Sequence, residues 1–323
     1  MTSAPKRRLH RRLLLITALG LVIALVGVGA VTTNTLGAGH LFDRVVAKVD
    51  RVLAGPVPDR SAPDTVLVTD PPEDPADLDP DESPIATPVV ADAGPGVTPV
   101  PVPTTSPTST PTPTVPRVPI TFDVVADHKA VFAHEQKVTW CAPAGVQMVL
   151  ATLHLGNTSN AFQRELVGRI HEWESYKDSH NGDWGPSAMA LALDAYGAKG
   201  YEVHAYQTRQ GALRGAAKAI MKTNSPAILL AWRGAHTWVM TGFKADADPT
   251  VFSNAKILGT YIQDPWYPDV SSIWGPSDPP GTFQNNAEMI RNFLPWKRPE
   301  GAYPARDGLY ITVLPTIPVS PPG

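Results

Sequence analysis

The chain's single cysteine, Cys141, stands in VTWCAPAGVQMVL at 138–150, immediately before a run with helical periodicity. Residue type and place together point to nucleophilic chemistry. A thiol at a helix N-terminus is more acidic than a free one, because the first-turn N–H groups and the helix dipole favour the thiolate. A sulfur there also stands clear of the helix body and can reach a carbonyl carbon. Such a nucleophile needs a base. Among nine histidines, His236 has the most suggestive surroundings: in GAHTWVMTGF it enters an apolar strand after a small Gly234-Ala235 pair that allows another segment to approach. Asp264, in TYIQDPW at the end of a second strand, supplies a carboxylate. By accepting the second ring N–H it would fix the imidazole tautomer and stabilise the imidazolium. Gln136, five residues before Cys141, offers an amide that, with a backbone N–H at the helix start, could receive the negative oxygen of a tetrahedral intermediate. Each residue also has a plain use: a buried apolar thiol, a packed strand histidine, an Asp-Pro turn, a surface amide.

The elements that must position these groups begin near residue 119, since all eight tryptophans lie in 120–323. Periodicity predicts helices over 142–154, 159–172, 187–196 and 209–222, the third capped by Ser187. Pro143 suits the first turn of the first helix, where its missing N–H costs nothing. Strands are expected at 119–125, 201–206, 227–232, 237–243, 257–264 and 309–314. Helices early and strands late predict an α+β domain whose N-terminal helices pack on an antiparallel sheet. If the strands at 237–243 and 257–264 form a hairpin, the entry of one lies beside the exit of the other, which brings His236 and Asp264 to one end of the sheet. Residues 265–306 read as a long, partly ordered loop packed by its aromatics, and Asp183-Trp184-Gly185 as a stretch that could line a cleft.

At Gln136, the Trp140-Cys141-Ala142-Pro143-Ala144 stretch, GAHTWVMTGF and IQDPW the chain resembles the papain-like cysteine peptidases, and within them the bacteriocin-processing, double-glycine leader peptidases. The resemblance implies a thiol peptidase fold over about 120–315, with Cys141 as nucleophile, His236 as base and acid, Asp264 as orienter and Gln136 in the oxyanion hole. Two features depart from the family. Ala142 follows the cysteine where relatives commonly carry glycine, and the spacing from Gln136 to Cys141 is five where six is usual. No transporter or ATPase domain follows, so a leader-peptide substrate is not implied. Hydrolysis, acyl transfer to an amine, and peptide binding without turnover all stay open on these residues.

The rest of the chain concerns location. A basic tail at 1–12 precedes an uncharged apolar run at 13–31, long enough to span a bilayer as an anchor; Val28 and Ala30 would equally suit a signal peptide cleaved after Ala30. Residues 39–54 carry a helical apolar face, a juxtamembrane helix or a spacer. Residues 55–118 are rich in Pro, Thr and Asp and read as a disordered stalk, one that could cross a cell wall before the domain at 119–323. These features place the domain on the extracellular face of the membrane, or in the medium if the signal is cleaved. With a net charge of −3 and no basic cluster beyond the N-terminus, nucleic acid is not an expected partner; a peptide or protein substrate is. No phosphate-gripping glycine loop is present, and His128, His134, His154, His171, His180 and His204 lack metal-ligand spacing, so no cofactor and no metal are expected.

Overall fold

The computed structural model describes residues 45, 46, 49, 65–69, 115–179, 184–297 and 303–319. The expected membrane segment at 13–31 lies outside these residues, as does most of the stalk. Val45, Val46 and Val49 are helical, within the span read as a helix. Among the described residues no helix is long and apolar enough to cross a membrane.

Strands β1 (Val66–Val68), β2 (Ile120–Asp123), β3 (Tyr201–Tyr206), β4 (Ala227–Leu230), β5 (His236–Ala245), β6 (Ile257–Gln263), β7 (Val270–Ser271), β8 (Gly275–Pro276), β9 (Thr282–Asn285) and β10 (Tyr310–Pro315) alternate with five longer helices. The helices are α1 (Cys141–Thr152), α2 (Asn160–Gly168), α3 (Pro186–Ala195), α4 (Arg209–Thr223) and α5 (Asn286–Asn292). The main sheet runs β1-β3-β10-β4-β5-β6-β9, while β7 and β8 form a separate ribbon. Strand β5 is long enough to pair with β4 over Thr237–Met240 and then with β2 over Gly242–Ala245.

Both faces of the sheet are covered, which explains why strands such as AILL are apolar throughout. Side chains alternate across it: Ile228, Val239 and Ile311 join the core beneath α1, α2 and α3, whereas Leu229, Met240 and Tyr310 join the core beneath α4. Helix α1 is buried along ten consecutive residues, Ala142 to Ala151, so it lies inside the domain with its N-terminus at the sheet's end.

The α+β arrangement and the early helices agree with the expectation from sequence. Three details differ. Val66–Val68, inside the stretch read as stalk, form an edge strand parallel to β3, so the sheet is not wholly antiparallel. The stretch read as a loop at 265–306 contains β9, which extends the sheet beside β6 through four paired residues, and α5, whose start carries a reciprocal Asn285–Glu288 cap. Helix α3 is capped not by Ser187 but by a distant residue. Asp178 accepts the Ser187 N–H at 3.1 Å and the Ala188 N–H at 2.8 Å, and its own charge is met by Arg306 at 2.8 Å.

Candidate active site

The site lies where α1, β5 and β6 end together. Between β4 and β5 the chain reverses through Trp232 (φ 52°), Arg233 (φ 62°) and Gly234 (φ 83°), three successive residues in the left-handed region. For the two non-glycine residues this conformation costs about 1–2 kcal/mol each. Such strain persists only where the surroundings fix it. Here Trp232 stacks on His236 with ring centroids 4.1 Å apart and planes at 17°, and Trp274 stacks on Trp232. The face of Gly234 is taken by the Trp296 indole, in the place where a Cβ would stand. The close approach that the glycine allows is therefore made by a side chain.

The β5–β6 pairing sets Val239 opposite Gln263 and so brings Asp264 beside the start of β5. Its Oδ1 lies 2.7 Å from His236 Nε2 and also accepts the Trp266 N–H at 2.9 Å. A carboxylate on Nε2 fixes the tautomer and leaves Nδ1 as the nitrogen that can meet a thiol. His236 and Asp264 are both buried.

Cys141 is the first residue of α1 and is half-buried. One turn on, Gly145 faces β5 so closely that a Cβ there would come within 2.6 Å of Thr237 Cγ2. A glycine at this position is what lets the helix mouth settle against the strand that carries the imidazole. Burial alone would push the Cys141 thiol up. The hydrogen bond and positive charge of His236, with hydrogen bonding from Thr237, outweigh it and hold the thiol below its usual range. At His236 burial works against the charged form, but the adjacent Asp264 carboxylate and the thiol raise the imidazole well above its usual range. The two shifts are complementary and favour a thiolate–imidazolium pair.

A third side chain completes the cluster. Glu135 is 3% exposed, and its carboxyl, the Cys141 sulfur and the His236 ring lie within 4.8 Å of one another. Among the described residues it is the one place where three such side chains converge this closely. The same proximity serves acid–base chemistry at a thiol. Neither Glu135 oxygen has a hydrogen-bond partner. Its backbone is held firmly: the Glu135 N–H donates to Pro265 O at 2.9 Å, while Gln163 donates to His134 O and accepts the Gln136 N–H. Burial, then the like charges of Cys141, Asp264 and Asp269, raise the Glu135 carboxyl well above the usual range against the opposing effect of His236.

Gln136 is placed differently from the expectation. Its amide donates to Asn160 O at 3.0 Å and its Oε1 accepts from Arg164 at 2.9 Å; both partners belong to α2. The structure thus brings Cys141, His236 and Asp264 together and turns Gln136 toward a neighbouring helix, with Glu135 taking the place beside the sulfur. A signal for this existed. Counting the usual six residues back from Cys141 lands on Glu135, but an amide looks like a donor and a carboxylate does not.

A cavity of about 440 Å³ opens at the sulfur. Val138, Thr139, Trp184, Gly185 and Tyr303 line it. Ala142, the departure from the family's glycine, also lines it. Asp178 and Pro186 lie in its wall, so the cap of α3 doubles as a support of the cleft.

No curated protein matches this chain. Among solved structures it is similar to one described as a double glycine motif protease from an AMS/PCAT transporter in complex with the leader peptide, at 18% identity and a TM-score of 0.31 over 61% of this chain and 99% of that one. Residues 125–292, just over half of the chain and containing every residue of the cluster, match the Peptidase_C39 like family. The chain belongs to that family.

Proposed function

We propose that the protein is an exported or surface-anchored cysteine peptidase or amidase in which Cys141, His236 and Asp264 form the catalytic triad. The observation that carries this reading is the pairing of a thiol held low and an imidazole held high, with Asp264 Oδ1 at 2.7 Å from the far ring nitrogen. In the reaction, the Cys141 thiolate attacks a peptide carbonyl carbon. A C–S bond forms and the C=O π pair moves to oxygen. Collapse of this intermediate breaks the C–N bond, and the imidazolium of His236 gives its proton to the departing amine. His236, now neutral, takes a proton from water, whose oxygen attacks the thioester and releases the acid and the thiolate. No step calls on a cofactor. The substrate is a peptide or protein; the open cleft beside the sulfur favours turnover over binding alone.

The test is a peptide library digested by the full-length protein, with and without glycinamide as an acyl acceptor. New termini should arise with the wild type and vanish with Cys141→Ala and with His236→Ala. Glycinamide-capped products would mark acyl transfer in place of hydrolysis. Identical termini in all three proteins would refute the triad.

A further inference from the structure

We propose that Glu135 is the side-chain oxyanion donor of this site, acting through its carboxylic acid O–H. The proposal rests on the triad reading above and adds a residue to it.

Three structural observations support the assignment. First, the Glu135 carboxyl lies within 4.8 Å of both the Cys141 sulfur and the His236 ring. When the sulfur bonds to a carbonyl carbon, the carbonyl oxygen is carried one bond beyond it. A donor must then stand about 3 Å from that oxygen, and Glu135 is the carboxyl close enough to do so. Second, its two oxygens are buried and unpartnered, although the backbone around it is fixed by Pro265 and Gln163. A buried polar group without a partner costs stability unless a ligand supplies one. Here the missing partner would be the oxyanion. Third, Gln136, the amide that the sequence offers for this task, is committed to α2.

The charges around Glu135 explain why it keeps its proton. Cys141 faces it from α1, His236 from the start of β5, Asp264 from the end of β6 and Asp269 from the following loop. The adjacent His134 binds the carbonyls of Pro265 and Tyr267 through Nδ1 and lies 4.0 Å from Asp269 through Nε2. With thiolate, imidazolium and Asp264 already charged, an ionised Glu135 would add a second uncompensated negative charge to a buried site. Burial and these like charges accordingly raise its carboxyl well above the usual range. As a neutral acid it resembles glutamine in shape and can donate one hydrogen bond through its O–H, where the amide has two N–H donors. The donor retains its proton through the step: attack of sulfur moves the π pair to oxygen, the Glu135 O–H bonds to that oxygen, and collapse releases it. Once the pH is high enough to ionise Glu135, the donor becomes a negative charge facing a negative charge and acylation slows.

The experiment compares two reactions of the full-length protein across pH. Acylation by p-nitrophenyl acetate passes through an oxyanion; alkylation by iodoacetamide does not. Glu135→Ala should slow acylation on the order of 10²-fold while changing alkylation no more than about threefold. Glu135→Gln should acylate at least about tenfold faster than Glu135→Ala, and its rate should hold at high pH where that of the wild type falls. Acylation and alkylation changing in parallel in Glu135→Ala would overturn the proposal. So would a shared high-pH limb in wild type and Glu135→Gln, a comparison that stands even if the alanine variant does not fold. Should Cys141 alkylate like a free thiol in every variant, the thiolate–imidazolium pair itself fails, and the donor assignment falls with it.

Discussion

At His236 two carboxyl groups lie close to one imidazole, and their hydrogen bonding separates their roles. Asp264 is satisfied by the ring and by the Trp266 N–H, and it raises the imidazole. Asp264→Asn should bring the His236 pKa, followed by NMR, down toward the ordinary ~6.5 and lower peptide turnover on the order of 10²-fold or more; an unmoved imidazole would contradict the orienting role. Glu135 has no such bonds and stays protonated to higher pH when folded than when unfolded, where its pKa is about 4.3. The folded state therefore binds more protons in that window, and its stability falls as pH rises from about 4.3 to the folded pKa. Glu135→Gln removes that slope, so its Tm should gain on the wild type between pH 5 and pH 8; a constant difference would mean that Glu135 is charged in both states. That Cys141, His236 and Asp264 come together was legible in the sequence, because each stands at the boundary of an element whose pattern could be read. Glu135 was signalled only by its six-residue spacing from Cys141, and it takes the folded chain to show that its carboxyl is buried.

At the scale of elements, the geometry depends on how closely α1 approaches β5 and how firmly α3 is fixed. Gly145→Ala would drive a methyl into Thr237; overpacking of this kind costs about 1–3 kcal/mol, and it moves the helix mouth away from His236. Urea unfolding should show that loss, together with a fall in Cys141 alkylation at low pH; wild-type behaviour in both would refute the close-approach argument. Asp178→Ala removes the cap of α3 and leaves Arg306 buried without its carboxylate. Breaking one side of a buried pair costs roughly 3–5 kcal/mol, and pairing the change with Arg306→Met should recover part of it. The central helices and strands were readable from periodicity, β3 at its observed bounds of Tyr201–Tyr206. Elements fixed by distant contacts were harder: the cap from Asp178 comes from eight residues before Pro186, and β9 is defined by pairing with β6 more than by its own short sequence.

Considered whole, the molecule places its reactive end on a two-sided sheet and ties part of the apparent stalk to that sheet's edge. Composition marked 55–118 as unable to fold alone, which is compatible with Val66–Val68 docking on β3, since a parallel edge strand takes its order from its partner. Val68 packs against the core beneath α4. Val68→Asp should detach the strand and lower Tm by about 2–4 °C, the shift expected for ~1 kcal/mol in a domain of roughly 200 residues; an unchanged Tm would argue that the strand contributes nothing. The central claim can be tested at the sulfur itself. The most direct measurement is the rate of Cys141 carboxymethylation by iodoacetate between pH 4 and pH 10, in wild type and in His236→Ala. The wild type should react through a plateau beginning well below the ~8.5 of a free thiol, and the variant should lose the plateau; coincident profiles rising only near that value would contradict the account.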